Sequence, residues 1–502
     1  REAINNIKKD LVRNNRSQAI MACGSGKTLV ALWVKEELEY EQVLVLVPSL
    51  NLASQIIKEW FRHKKIDFDA ICICSDKSVT KRDKDEDYDN WVNSNSEIEI
   101  PVKNQINEIR YFLKTDKNKV IFCTYQSSPL IAEAMLEKDI QSFDVTFCDE
   151  AHRVAGAHSK TFSLILDEKK IRSNKRLFLT ATPKETDDLI KETAKAKDRE
   201  IHSMDDEKKF GKRSHVLSFR DALHKYKEPI LCDYRIIACE IYRSEVNKTY
   251  EQIIKRDFLS TDGQNIIDAE TLATQIAIIK AIKAYNLKRI ITFHNKRENA
   301  YDFSKKLPEV YKWLNDDPNE IDLVCDYIDG EMSTYERKEK LKKLKSNESE
   351  NTILFSNARC LQEGVDIKNL DGIAFIEPKK SFIDIIQAVG RVMRINPGKK
   401  YGTILIPVFL EDSDNIDKKI LESRYSQIWR IAKALSRHDE YLLEKITELR
   451  ISLGKRKKYT KRRGGLIIDD KIIIAERVKK LFSESIELII AKNIIENWYE
   501  KY

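Results

Sequence analysis

The 502-residue sequence has no apolar run approaching the roughly 18 residues of a membrane-spanning helix, and no charged-then-apolar signal sequence opens it. A cytoplasmic protein with no membrane partner is therefore the expectation. Paired cysteines are lacking too. Nine cysteines are present, an odd count without a C-x-x-C pair, which argues against a disulfide framework or a zinc site. Cys72 and Cys74 fall in a strand-like run and Cys123 and Cys148 in other apolar runs, so buried, reduced thiols are expected. Charge of one sign is also scarce, with a net charge of only +8. Most of that excess sits late in the chain: residues 411–502 hold 21 Lys/Arg against 16 Asp/Glu, and Lys455 to Arg463 (KRKKYTKRR) packs seven bases into nine residues. Such a run either attracts polyanions or is a solvated connector. With 42% hydrophobic and 34% charged residues, the chain has the composition of a soluble globular protein with two or three cores.

What is present begins with Met21 to Thr28, MACGSGKT. An apolar run, Ala19 to Ala22, stops at this loop, and Leu29 to Leu38 then carries apolar residues at helical spacing. Strand, tight loop and helix in that order make a phosphate-binding loop. Gly24 and Gly26 let the backbone turn and, with Ser25, point successive N–H groups at one anion. The new helix adds its positive dipole end, Lys27 reaches the outer phosphates, and the Thr28 hydroxyl suits Mg²⁺. ATP or GTP is the expected ligand. Met21 departs from the longer G-x-x-x-x-G-K-S/T pattern, which places a glycine there.

Short apolar runs then alternate with helical stretches. Val43 to Val47, Ala70 to Cys74, Val120 to Cys123, Val145 to Cys148 and Leu177 to Leu179 are expected strands, the signature of a doubly wound parallel sheet with its active loops at the carboxyl ends. Residues about 77–119 are charged and Asn-rich and suggest a surface insertion whose amphipathic end, Ile106 to Leu113, packs back. The expected organisation is a first domain at 1–205, a charged linker at 206–232, a second α/β domain at 233–410 without a phosphate loop, and a helical, basic module at 411–502. Gln427 to Gly454 keeps helical spacing there. The abrupt start at Arg1 suggests that further material belongs upstream.

Three further stretches carry chemistry. Asp149-Glu150-Ala151-His152 follows the Val145 to Cys148 strand. Hydrolysis of a nucleotide needs one carboxylate on Mg²⁺, assigned to Asp149, and a second to position or deprotonate water, assigned to Glu150. Thr180-Ala181-Thr182-Pro183 ends another strand. Far downstream, QAVGRVMR at 387–394 places Gln387, Arg391 and Arg394 at helical spacing, and an arginine brought from another domain can stabilise charge on a transferring phosphoryl group.

In this order the phosphate loop, DEAH, TATP and QAVGRVMR resemble motifs I, II, III and VI of superfamily 2 helicases. The resemblance covers roughly residues 1–410 and implies two RecA-like domains with ATP and Mg²⁺ held between them. It further implies a coupling role for His152, Thr180 and Thr182. Looser matches resemble motifs Ia (Pro48, Ser49), Ib (Thr124, Tyr125), IV (His294, Asn295) and V. In motif V, Gly364 and Asp366 would meet the nucleotide and Asn357 and Arg359 a phosphodiester backbone. SNARCLQEGVD, DIIQAVGRVMR and PGKKYG look most like restriction-type bacterial helicases, including the ATPase portion of single-chain restriction-modification enzymes. Those relatives carry nuclease or methyltransferase domains, which would lie outside this chain.

The resulting expectation is an ATP-dependent translocase or helicase motor acting on double-stranded DNA. An RNA helicase or double-stranded-RNA-sensing ATPase uses the same motifs, and a nucleotide-gated scaffold without turnover is a third reading.

Overall fold

The computed structural model describes residues 1–74, 100–115, 118–156, 161–186, 201–244, 246–247, 269–314, 323–329, 334–346, 351–358, 367–377 and 381–410, together with 332, several positions between 427 and 439, and 472–473. The chain divides into two compact units, the first built on Arg1–Ser218 and the second beginning at Phe219.

The first unit holds the strands β1 (Arg16–Met21), β2 (Gln42–Val47), β3 (Asp69–Ile73), β4 (Val102–Lys103), β5 (Lys119–Thr124), β6 (Phe143–Cys148), β7 (Ser173–Thr180) and β8 (Lys212–Leu217). They form one sheet in the order β4-β3-β5-β2-β6-β7-β1-β8, and every pairing is parallel. Parallel strands covered on both faces read as unbroken apolar runs, as the QVLVLV of β2 does. The helix Leu50–His63 starts where Ser49 Oγ accepts the Leu52 N–H. It delivers Trp60, fully buried, edge-on to Phe68, Phe122 and Phe147. Its indole N–H donates to the Thr28 carbonyl at 3.0 Å, bracing the helix that leaves the phosphate loop.

Two expectations change here. The expected surface insertion at 77–119 is not surface throughout. Residues 75–99 lie outside the described residues, but β4 extends the sheet and the helix Ile106–Leu113 does pack back, burying Ile109 and Leu113 in the core. The stretch 206–232, expected as a linker, supplies the helix Glu207–Phe210 and the edge strand β8. Lys212 and Arg213 are exposed while His215 and Leu217 are buried. An edge strand open on one side carries charge among its apolar positions, which made it read as a connector.

In the second unit, β9 (Asp233–Tyr242), β10 (Arg289–His294), β11 (Leu323–Ile328), β12 (Thr352–Ala358), β13 (Gly372–Phe375) and β14 (Tyr401–Leu410) form a second parallel sheet, ordered β11-β12-β10-β13-β14-β9. The apolar helix Ala269–Tyr285 contributes Leu272, Ile276 and Ile279 to its core. β15 (Ile472–Ile473) adds to the β9 edge in parallel, opposite Ile236 and Ile237. The module after residue 411 is therefore not wholly helical. Its described helical positions include Gln427 and Arg430 to Ala432. This segment is tied to the sheet by Gln427 Nε2 donating to the Phe375 carbonyl and by Tyr234 O–H donating to Asp439, which lies outside the helical positions. The basic run at 455–463 lies outside the described residues.

Gly211 stands at φ +80, and a Cβ added there would lie 2.1 Å from the Arg16 carbonyl oxygen. Gly398 has the same sign of φ (+79) with nothing within 4 Å. Urea unfolding should therefore separate the two alanine variants. Gly398→Ala is expected to cost about 1 kcal/mol from backbone strain alone, and Gly211→Ala at least about 2 kcal/mol because β8 must also move from β1. Equal costs would mean that β8 is not held so closely.

Candidate active site

Strands β6, β7 and β1 are neighbours in the sheet, so their carboxyl ends present three loops side by side. After β1 comes the phosphate loop. Gly24 (φ +81) and Gly26 (φ +88) take the left-handed conformation, and Gly26 caps the helix Lys27–Glu37. Ser25 Oγ donates to the Ala22 carbonyl at 2.7 Å, closing the turn, and Lys27 Nζ reaches the Met21 carbonyl at 3.3 Å. The Ala22 N–H donates to Leu217 of β8, so the strand that sequence reasoning missed anchors the loop's base. Thr28 follows on the helix, half-buried.

After β6 comes Asp149, with only 7% of its surface exposed. Its N–H donates to the Leu46 carbonyl of β2, and its carboxylate accepts the Glu150 N–H at 3.0 Å. Glu150 itself sits at φ 47, ψ 49. A non-glycine residue there carries about 1–3 kcal/mol of backbone strain, which persists where surrounding structure enforces it and concentrates at functional sites. Burial pushes the Glu150 carboxyl up. The His152 ring nitrogen close by and the charges of Lys27 and Arg153 outweigh it and hold the carboxyl at about 2. Glu150 is therefore ionised at neutral pH and lies within the field of the phosphate-loop lysine.

His152 joins the second loop to the third. Its Nδ1 lies 3.3 Å from Glu150 Oε2, 3.0 Å from Thr180 Oγ1 and 3.3 Å from Thr182 Oγ1. Thr180 Oγ1 in turn accepts the Thr182 N–H at 3.1 Å. All three coupling residues expected from the sequence thus meet at one ring nitrogen.

The expected nucleic-acid contacts fare differently. Tyr125 is fully buried, its ring against Phe162 and its O–H donating to the Asp149 carbonyl at 2.8 Å. Burial pushes the phenol's pKa well up, so it stays a donor. Thr124 is buried and donates to Ser127 Oγ. His294 is buried against Phe303 with Nε2 at 2.9 Å from Thr292 Oγ1, and Asn357 is 1% exposed. These four side chains belong to the core, because strand ends inside a two-faced parallel sheet are covered by helices. Pro48 is buried as well. Ser49 and Asn295 remain half-buried, the latter with its N–H on the Glu377 carboxylate. Arg359, Gly364 and Asp366 lie outside the described residues.

In the second unit the helix Phe382–Val392, capped by Ser381 Oγ on the Asp384 N–H, packs Ile385, Ile386, Val389 and Val392 inward. Gln387 (8% exposed) and Arg391 are one turn apart on it. Arg394 is not on the helix. The chain leaves helical geometry at Met393, and Arg394 forms a β-bridge with Leu231, so its direction is set by the segment preceding β9 rather than by helical phase. Sequence reasoning also missed Trp60 behind the phosphate loop and the Tyr125 link to Asp149. An invariant-looking pattern could not have located either, since both depend on which strands become neighbours.

A phosphate loop at a strand end, a carboxylate pair two strands away and a second parallel-sheet domain define a nucleotide hydrolase of the tandem RecA-like class. Comparison with known proteins narrows this. Residues 1–185 match the family described as type III restriction enzyme, res subunit, and residues 273–396 match the helicase conserved C-terminal domain. The chain thus carries the two domains of a superfamily 2 helicase and is similar to restriction-enzyme motors and to viral helicases. A probable helicase, A859L, of African swine fever virus is 26% identical over 447 residues, covering 88% of this chain and 44% of the viral protein. An ATP-dependent type ISP restriction-modification enzyme, LlaBIII, in its DNA-bound structure, superposes with a TM-score of 0.76 at 25% identity over 99% of this chain and 34% of that one. The type ISP enzyme LlaGI shares the fold at 24% identity and a TM-score of 0.57, over 91% of this chain and 32% of that one. The chain thus spans less than half of the viral relative and about a third of the restriction enzymes. No helix among the described residues is long and apolar enough to cross a membrane.

Tyr125→Phe is expected to destabilise the first unit by about 1–3 kcal/mol, because a buried carbonyl loses its donor. It should also lower the rate of ATP turnover more than ATP affinity, since the carbonyl it releases belongs to Asp149 and not to the phosphate loop. Unfolding curves and single-turnover rates would test this. Unchanged turnover would mean that the bond is structural only.

Proposed function

We propose that the chain is the ATP-driven motor of a double-stranded DNA translocase, of the kind used by restriction and defence enzymes. The observation that carries the reading is the similarity, along almost the whole chain, to a type ISP restriction-modification enzyme bound to DNA. Nuclease or methyltransferase chemistry, if associated with it, would be supplied by domains outside these residues.

ATP would be cradled by the N–H groups of Gly24, Ser25 and Gly26 at the positive end of the helix Lys27–Glu37, with Lys27 on the outer phosphates. Mg²⁺ fits the residues present. Thr28 offers a hydroxyl at that helix start and Asp149 a nearly buried carboxylate, and Mg²⁺ characteristically takes one or two protein oxygens, completing its shell from phosphate and water. When bound, the ion neutralises charge on the phosphates. Glu150, already ionised, orients the attacking water and draws off its proton. Arg391 and Arg394 are the proposed groups that stabilise the charge building on the transferring group, with Gln387 as a further polar residue. His152 registers the change at Glu150 and passes it to Thr180 and Thr182, so that a loop reporting hydrolysis is mechanically joined to the strand beside β1. Ser49, Asn295 and Arg359, with Gly364 and Asp366 on the nucleotide side, remain the proposed contacts that turn this cycle into motion along one strand.

Steady-state ATP hydrolysis by the chain alone and with duplex DNA, single-stranded DNA or double-stranded RNA tests the proposal. Stimulation greatest with duplex DNA is expected. Lys27→Ala should abolish ATP binding and turnover together. Glu150→Gln should keep binding and lose turnover by about 10²–10⁴-fold, and Arg391→Ala by about 10³-fold or more. Stimulation by double-stranded RNA alone would make this an RNA-dependent motor, and binding without turnover in the unmodified chain would make it a nucleotide-gated scaffold.

A further inference from the structure

The second unit contains a cleft of about 410 Å³ that the hydrolytic cycle does not use, a volume suited to a small ligand. It is lined by Arg235, Tyr285, Lys288, Asp371, Lys399 and Lys400, among others. Arg235 lies near the start of β9, Lys288 and Asp371 immediately precede β10 and β13, and Lys400 immediately precedes β14. The cleft therefore occupies the amino-terminal edge of the second sheet. His294 ends β10 at the opposite edge, about 20 Å away along that six-residue strand.

Its charge is one-sided. Five basic residues, Arg289 among them, line it against a single carboxylate, and that carboxylate is already engaged: Asp371 accepts the N–H groups of Lys288 at 2.8 Å and Arg289 at 2.9 Å. Arg235 is held in place before any ligand arrives. Its Nε donates to Thr403 Oγ1 at 3.1 Å, and its guanidinium carbon lies 4.4 Å from the Tyr285 ring and 5.4 Å from that of Tyr401. A planar guanidinium fixed between aromatic rings is pre-organised for two-point bonding to a phosphate or carboxylate. Lys399 donates to the Arg394 carbonyl, and burial pulls its ammonium below the ordinary lysine range, so an anion would restore favourable surroundings for that charge. Lys400, exposed and 5.2 Å from the Tyr401 ring, stands at the mouth.

We propose that this cleft is an anion site that binds a phosphate group, taken either from a free phosphate compound or from the phosphodiester backbone of nucleic acid. It lies at the opposite edge of the second sheet from that sheet's strand-end loops, and it does not depend on the choice of DNA as substrate.

The test uses the full chain. In a Lys27→Ala background, which removes the phosphate-loop lysine, calorimetry with inorganic pyrophosphate is compared with and without the added pair Lys288→Gln and Lys400→Gln. In the otherwise unmodified chain, the same pair is tested for the salt dependence of binding to a short single-stranded DNA. Nucleic-acid-independent ATP hydrolysis and the melting temperature, both expected to be unchanged, establish that the variant is folded. If free phosphate is the ligand, the pair weakens pyrophosphate binding about tenfold or more. If backbone phosphates occupy the cleft, the slope of log affinity against log salt becomes shallower by about 1.4, the value for two lost contacts on a single strand. Either result supports the site. Pyrophosphate binding absent or unchanged, together with an unchanged slope, overturns it.

Discussion

The parallel alignment of β6, β7 and β1 is the constraint on which the rest of the molecule depends. In a parallel sheet every strand ends at the same edge, so the loops that follow neighbouring strands are neighbours too. Here that places the phosphate loop, the Thr180–Thr182 loop and the Asp149–His152 turn side by side, although 121 positions separate Thr28 from Asp149 in the sequence. The sheet's other features serve this alignment. Trp60 fastens the helix of the phosphate loop to the aromatic core. β8 holds the loop's base through the Ala22–Leu217 bond, and Tyr125 holds the carbonyl of Asp149. The strained backbone of Glu150 is maintained between these fixed points, which is how a carboxylate comes to be half-buried, ionised and within the field of a lysine at once.

The second unit repeats the plan without a phosphate loop and uses its elements differently. Its helix Phe382–Val392 buries the apolar face and leaves Gln387 and Arg391 along one side. The chain then turns at Met393, and the Arg394 backbone is fastened to Leu231. Arg394 is thereby tied to the segment through which the chain enters this unit. The two edges of the same sheet differ, with buried His294 at a carboxyl end and a basic cleft at the amino ends.

Much of this was legible in the sequence because parallel sheets use continuous apolar strands and because phosphate chemistry demands particular residues at short spacing. QVLVLV, MACGSGKT and the Asp149–Glu150 pair each carry their meaning locally. β8 was not legible, since an edge strand mixes charge with apolar positions and KRSHVL resembles a connector. The helix Ile106–Leu113 was legible as amphipathic, but the strand Val102–Lys103 before it was not, because two residues have no periodicity. The nucleic-acid contacts were the weakest readings for a related reason. A polar residue at a strand end looks the same in sequence whether it faces a ligand or the core, and for Tyr125, His294 and Asn357 the surrounding helices decide it. Arg394 was misplaced on the helix because spacing alone cannot show where a helix stops.

The proposed role requires that hydrolysis moves the protein along duplex DNA, which is a stronger demand than stimulated turnover. The most direct measurement is displacement of a third strand from a duplex DNA, followed in time with ATP and with a non-hydrolysable analogue. ATP-dependent displacement, with a lag that lengthens as the triplex is placed farther from the loading end, is the expected result. Rapid ATP hydrolysis on the same DNA without displacement, or displacement equally supported by the analogue, would contradict a translocating motor.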